Sequence, residues 1–295
     1  MNGILLIDKA SDWTSHDVVA KLRGLLGQRR IGHAGTLDPM ATGLLTIFVG
    51  QGTKAVQYAE AAEKSYIARL QLGITTDTQD STGRVLTRAP RPVSREELEA
   101  VLPRFMGDVL QLPPMYSAIK VEGKRLYQLA RKGEVVERAP RPVQVRKIDI
   151  LESYEDGFLL FISCSKGTYI RTLCHDIGQS LGTGGVMASL RRTQVGNFSL
   201  DNAYTLEQIA QSDQRAGFLL PLDSLFEDHP ALSLTAQEEI RLRQGQKVPV
   251  ETEVRGTCRV YGPEGEFLAL GEIAPTGRPI LKTQKNFFTS SESKK

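Results

Sequence analysis

The chain has 295 residues, 40% of them hydrophobic and 24% charged, enough for one large core or two unequal domains of an ordinary globular protein. Aromatics at 6%, a single Trp, and Gly (27) and Pro (14) near average usage exclude collagen-like, coiled-coil and low-complexity classes. The net charge of +3, from 37 Lys+Arg against 34 Asp+Glu, is too balanced to announce a nucleic-acid partner, so any basic surface must come from segregation along the chain.

The first residues, MNGILLIDKA, hold a four-residue apolar run before Asp8 and no basic leader. No stretch approaches the roughly 20 apolar residues of a membrane helix. A cytoplasmic protein is expected. Cys164, Cys174 and Cys258 are widely spaced with no CxxC pair, which suits reduced thiols. The four histidines, His16, His33, His175 and His229, are scattered, so no metal site is expected.

Strand-like runs follow in order: GILLIDK (3–9), GLLTIFVG (43–50), SYIARLQLG (65–73), VQVRKIDILE (143–152) and GFLLFISCS (157–165). Between them, Val18, Val19, Leu22 and Leu26 form a helical face behind a Thr14 or Ser15 cap. Leu98, Val101, Leu102 and Phe105 do the same behind a Ser94/Glu97 capping box, with Pro103 shortening the helix. A third helix takes Ile170, Leu173, Cys174, Ile177 and Leu181, starts behind Thr168 and ends at Gly182. This irregular alternation predicts an α+β fold with a mixed sheet rather than a regular βαβ winding.

Two charge blocks stand out. Residues 111–142 are bounded by Pro pairs, and the window 116–150 carries nine Lys/Arg against four acids, +5. Residues 201–230 carry six acids and one Arg, −5, and include PLDSLFEDHP, a candidate boundary. Beyond it, TAQEEIRLRQGQKV predicts a capped helix, and TCRVYG, EFLALGEI and RPILKT predict three short strands of a small β-rich domain. The expected domains are therefore 1–230, with an inserted arm at about 111–142, and 231–285. Residues 286–295 are expected to be a disordered tail.

The most unusual text is GHAGTLDPMATG, residues 32–43. Three glycines, a His and an Asp in one loop before an apolar strand suit a reactive site on a rigid scaffold. Asp38-Pro39 is equally a standard helix start, Asp capping and Pro filling the first position. The phosphate-loop, HExxH and GxSxG patterns are absent, so nucleotide hydrolysis, zinc peptidase and serine hydrolase chemistry lack support.

That loop resembles the signature of the bacterial tRNA pseudouridine synthases of the TruB family. KSYIARLQLG with TDTQDSTG, QLPPMYSAIKVEGKRLYQLAR and SKGTYIRTLCHDIG are similar to the other family blocks, in family order, so the resemblance covers about residues 2–200. Residues 232–285 resemble, more weakly, the family's PUA-type RNA-binding domain. The implied fold is a central mixed, largely antiparallel sheet flanked by helices and loops, plus that small domain. The implied reaction is isomerisation of uridine 55 in the T loop of tRNA to pseudouridine, without cofactor or metal, on a base flipped out of its stack.

Carried over by residue, the resemblance implies Asp38 as nucleophile, Arg171 as its charged partner, and Tyr66 over the target base, better suited to stacking than to proton abstraction. Arg171 is expected to keep Asp38 ionised against burial. Tyr169 and Leu190 line the pocket, His33 is the wedge that replaces the flipped base, and Asp80 is a hydrogen-bond partner nearby. Lys54, Lys64, Lys120, Lys124, Arg125, Arg131 and Lys132 are expected phosphate contacts. A monomer is expected, acting on the tRNA T stem-loop. Two alternatives are a guide-RNA-dependent synthase, against which stand the short C-terminal domain and the 111–142 insert, and a non-catalytic RNA-binding protein of the same fold. Asp38, Tyr66 and Arg171 are all present, which disfavours the latter.

Overall fold

The protein is described by a computed structural model covering residues 1–288 apart from Pro90, Ala118, Glu122 and Arg131, without the side chains of Lys120 and Arg125. Arg131 and residues 289–295 of the expected tail thus lie outside the described residues.

In chain order the elements are β1 (Gly3–Lys9), α1 (Ser15–Leu26), β2 (Ile31–Ala34), β3 (Thr42–Val49), α2 (Val56–Ala61) and β4 (Lys64–Leu72). A hairpin of β5 (Ile74–Thr76) and β6 (Val85–Arg88) precedes α3 (Arg95–Val101) and β7 (Gly107–Gln111). A ribbon of β8 (Lys120–Val121) and β9 (Lys124–Arg125) leads into α4 (Leu126–Ala130). Then come β10 (Arg141–Tyr154), β11 (Gly157–Cys164), α5 (Ile170–Ser180), β12 (Gly185–Val195), β13 (Phe198–Ser199) and α6 (Leu206–Gln211).

The main sheet runs β1-β3-β12-β4-β11-β10-β7, with β2 on β3 and β13 on β12. Its described pairs are antiparallel except β3 with β12, where Thr42 lies beside Arg191. Helices and strands do not alternate regularly, and the fold is α+β. The continuous apolar text of β1 and β3 has a direct cause: both faces of these strands are covered, so no polar alternation is needed.

Helix α1 forms as its sequence dictates. Thr14 caps it in a capping box with Asp17, Gly27 ends it in the left-handed conformation, and Val18, Val19, Leu22 and Leu26 are buried. Each such side chain contributes roughly 1.5–3 kcal/mol, and Leu22→Ala would cost about 2–5 kcal/mol. Helix α3 likewise has its Ser94/Glu97 box and passes into a 3-10 turn containing Pro103. Helix α5 departs from expectation: Tyr169 is its N-cap and no side chain caps it. The Thr168 hydroxyl donates instead to Ser165 O at 2.9 Å.

The excursion between β7 and β10 leaves and re-enters the sheet at adjacent positions, since Gln111 pairs with Arg141. The 111–142 arm is therefore rooted at the edge of the sheet that carries Tyr66 in its middle.

A second, five-stranded sheet takes β14 (Ala231–Ser233), β15 (Val248–Pro249), β16 (Gly256–Tyr261), β17 (Phe267–Ile273) and β18 (Ile280–Asn286), in the order β14-β16-β17-β18-β15. It carries α7 (Ala236–Arg243), capped by Thr235 and Glu238. The sequence pattern identifies three of these strands and misses the two shortest. This sheet packs on the first through Phe226, whose ring lies 6.0 Å from Phe267 and 5.9 Å from Phe287. Tyr261 also donates to Asp223 at 2.6 Å.

Candidate active site

The text GHAGTLDPMATG is a strand end, a loop and a strand start, not a helix start. His33 and Ala34 belong to β2, and the Ala41 N–H donates to Asp38 O at 3.0 Å, closing a turn over Pro39-Met40. Two anchors hold the loop. Ser15 Oγ accepts from Leu37 N (3.0 Å) and lies 3.3 Å from Leu37 O. Lys9 Nζ donates to Pro39 O (3.1 Å), Trp13 O (2.7 Å) and Ala10 O (2.9 Å). Lys9 is buried, and its ammonium is pulled down to about 8 by that burial. This anchor is invisible to sequence patterning, because a lysine closing a strand looks like a surface charge.

Arg171 lies in the first turn of α5, at the positive end of the helix, so its own charge needs compensation there. Two carboxylates supply it. Nε lies 3.0 Å from Asp38 Oδ2 and Nη2 lies 3.4 Å from Oδ1, while Nη1 lies 3.6 Å from Asp80 Oδ2. Nη2 also donates to Tyr116 O (2.9 Å) and Nη1 to Thr78 O (3.4 Å), which uses every face of the fork. The Asp80 carboxylate is further held by the hydroxyls of Thr78 (2.8 Å) and Thr82 (2.6 Å), on a turn where Gln79 has φ 65°. Asp80 therefore sits buried behind Arg171 rather than open to a base.

The Asp38 side chain keeps 37% exposure, yet burial dominates its ionisation. Desolvation pushes the carboxyl above its ordinary value. Arg171 is the strongest pull downward, and Asp80 adds a like-charge push upward. The expected contest between burial and Arg171 is present, with burial ahead.

Tyr66 lies in β4 directly opposite Arg192 in β12 and Ile162 in β11. It shares one apolar cluster with Leu37, Ala41 and Leu190, so a hydrophobic wall stands beside the Asp38 loop. Burial pushes its phenol above the ordinary value, which keeps it protonated at neutral pH and so unavailable as a base. Strand β12, which delivers Leu190 and Arg192, goes unrecognised in the sequence. Bulges between Met187 and Ser189 and between Arg192 and Gln194 break the period-2 alternation that would reveal it.

Tyr169 is held through its backbone: the Gln111 amide accepts from Tyr169 N at 2.7 Å and donates to Tyr169 O at 3.0 Å. The root of the arm is thus tied to the start of α5, two residues before Arg171. A groove of about 380 Å³ opens here, lined by Gln111, Pro113, Arg141, Lys166 and Tyr169 among others. Arg141 and Lys166 are basic residues of this groove that the sequence pattern does not single out.

The remaining expected contacts divide. His33 is half-buried, its ring edge-on to His16 at 5.5 Å, and burial pulls its imidazole down to about 4. It is an uncharged ring at neutral pH. Lys124 and Lys132 are exposed on the arm. Two lysines make bonds within the protein. Lys64 is buried, and its ammonium donates to Ala62 O (2.6 Å) and Glu60 O (2.9 Å), closing the C-terminal end of α2. Lys54 donates to Asn286 Oδ1 at 2.7 Å, joining the two sheets. The Lys64 ammonium is thus turned onto backbone carbonyls, whereas Lys54 stays partly exposed. Among the described residues no group of three or more His, Cys, Asp or Glu could hold a metal ion, and no helix is long and apolar enough to cross a membrane.

Three family descriptions match consecutive parts of the chain. "TruB family pseudouridylate synthase (N terminal domain)" matches residues 23–170, "tRNA pseudouridylate synthase B C-terminal domain" 171–227, and "Pseudouridine synthase II TruB, C-terminal" 230–279. The chain is 45% identical over 285 residues to the tRNA pseudouridine synthase B of Stutzerimonas stutzeri, covering 94% of this chain and 93% of that one. It is 46% identical over 270 residues to the tRNA pseudouridine synthase B of Ralstonia pickettii, covering 89% and 85%. Among solved structures it is similar to a chain of an H/ACA RNP bound to a substrate RNA containing 2'-deoxyuridine, with TM-score 0.73, 23% identity, and 98% and 86% coverage. A chain of a Cbf5-Nop10-Gar1 complex is alike at TM-score 0.73 and 24% identity, covering 98% and 85%. At these identities the structural likeness speaks for the fold.

Proposed function

The chain belongs to the TruB family of pseudouridylate synthases, and from that premise we propose that it isomerises uridine 55 in the T loop of tRNA to pseudouridine with Asp38 as nucleophile. The observation that carries this reading is the two-nitrogen grip of Arg171 on Asp38 beside the Tyr66–Leu190 wall. It offers an oriented carboxylate next to an apolar slot of the kind a flipped base needs.

The reaction breaks the N1–C1′ bond of uridine, turns the uracil and forms C5–C1′. The C5 proton leaves to solvent and N1 gains one, so atoms balance without redox change. Attack at C1′, attack at C6, and deprotonation at C2′ all require an ionised Asp38. Arg171 orients the carboxylate through two bonds and opposes its protonation. Tyr66, held neutral by burial, stacks on the uracil face, with Leu190 and Tyr169 bounding the slot. His33, an uncharged flat ring, takes the place the base vacates.

The arm at 111–142, with Lys120, Lys124, Arg125 and Arg131, meets the T stem-loop, and Arg141 and Lys166 extend that basic face. We assign residues 1–230 to catalysis and 231–285 to a PUA-like RNA-binding unit, in a monomer acting in the cytoplasm. A guide-RNA-dependent synthase is the other reading. The identity of about 45% to relatives named for tRNA favours the stand-alone enzyme over it.

The test is an unmodified tRNA transcript carrying tritium at uracil C5, incubated without guide RNA or cofactor. The expected result is release to water of one equivalent from position 55. No release from an intact T arm defeats the stand-alone reading.

A further inference from the structure

Arg192 heads the fully buried side chains by size, at 1% exposure, and among the described residues no carboxylate lies within ion-pair distance of it. A buried cation without a counter-charge is costly, so its donors must be well used. Its Nε donates to Leu44 O at 2.7 Å and its Nη2 to Gly35 O at 3.0 Å. Gly35 opens the loop that carries Asp38, and Leu44 lies in β3, three residues after the loop's last residue.

Two glycines beside these contacts fit this arrangement. Gly35 has φ +77°, and a Cβ there would lie 3.3 Å from Arg192 Nη1. Gly43, in β3 beside Arg192 of β12, has φ +97°, and a Cβ there would lie 2.3 Å from Arg192 O, so the strand that receives the loop is pressed against this one residue. Across the sheet Arg192 stands directly opposite Tyr66 in an antiparallel pair, so the two buried side chains project from the same face. A guanidinium donates and never accepts. A phenol oxygen that meets it can therefore only accept there, which directs the phenol's own proton away from Arg192.

We propose that Arg192 is a positioning residue that clamps the start of the Asp38 loop and the strand that receives it, and turns the Tyr66 hydroxyl into a hydrogen-bond donor aimed into the pocket. Its target is a carbonyl oxygen of the flipped base or the Asp38 carboxylate. Tyr66 then has two duties, a stacking face and a directed proton that it keeps. The proposal rests on the isomerase reading above.

The test is a double-mutant cycle in the tritium-release assay, with Arg192→Lys and Arg192→Gln each made in the parent and in the Tyr66→Phe background. Lysine keeps the charge but loses the fork; glutamine keeps an N–H donor without charge. Circular dichroism and thermal melting show which variants fold, and if the Gln variant does not, the Lys variant carries the test alone. The expected result for Arg192→Lys is kcat lower by about tenfold with KM and the tRNA dissociation constant within about threefold. In the Tyr66→Phe background the same substitution is expected to cost a factor at least about threefold smaller. Full kcat in the folded variants overturns the proposal, as does an equal factor in both backgrounds or a loss confined to KM. An inactive parent enzyme would instead defeat the isomerase reading itself.

Discussion

Arg171 and Asp38, separated by 133 positions in the sequence, meet through two nitrogens and both carboxylate oxygens, at 3.0 and 3.4 Å. The same guanidinium reaches the buried Asp80 at 3.6 Å. Arg171→Lys removes the fork that sets the carboxylate's angle, so kcat is expected to fall by roughly a hundredfold while tRNA binding holds. Arg171→Met leaves Asp80 buried beside no cation and is expected to lower unfolding stability by roughly 3 kcal/mol in a urea titration.

With Asp38 as the proposed nucleophile, its ionisation is expected to set the acid side of the rate profile. Its carboxyl is raised above the ordinary Asp value, chiefly by burial, so activity is expected to fall as pH drops through a point higher than that of an exposed aspartate. The sign for stability is opposite to that of a salt-bridged acid with a lowered value. Ionised Asp38 costs stability at every pH above its folded-state value, and the cost vanishes below the unfolded-state value. Asp38→Asn is therefore expected to melt no lower than the parent at pH 7, and a clear loss there would contradict the burial account.

His33 follows the same arithmetic with a different outcome. Its imidazole is pulled down to about 4, chiefly by burial and then by His16 and Arg192, so it carries no charge at neutral pH. The tRNA affinity of the parent and of His33→Phe is expected to share one pH dependence between about pH 5.5 and 8. A step near pH 6.5 that vanishes in the Phe variant would show an ionic role.

Lysines that look alike in the sequence separate in the structure. Lys64 closes α2 from a buried position, whereas Arg141 and Lys166 line the groove beside Tyr169. Lys64→Met is expected to lower the melting temperature and leave the salt dependence of tRNA binding unchanged. Arg141→Ala or Lys166→Ala is expected to reduce the slope of log affinity against log salt by about one each. Equal slopes for all three would contradict the assignment.

What the sequence disclosed follows from the kind of signal each element carries. Strand β1, helix α1 and the capping boxes are written in local periodicity and cap chemistry, and their bounds come out nearly as the pattern predicts. Strand β12 is written in bulges and cross-strand partners, and it escapes a local pattern search although it delivers Leu190 and Arg192. Asp38 and Arg171 stand out through their motif text, but Lys9 and Arg192 do not. Their role comes from burial against backbone carbonyls, and a sequence does not show which lysine or arginine will be covered. For the same reason the text around Lys64 does not show that its ammonium turns inward onto Ala62 O and Glu60 O.

The central claim is that Asp38 is a nucleophile and not merely a loop residue. Its most direct test compares the parent with Asp38→Asn on one tRNA preparation, measuring tritium release and filter binding side by side. Release is expected to be abolished and the dissociation constant to stay within roughly tenfold, because phosphate contacts carry most of the affinity. Measurable turnover by the Asn variant, or a loss of binding equal to the loss of rate, would contradict that claim.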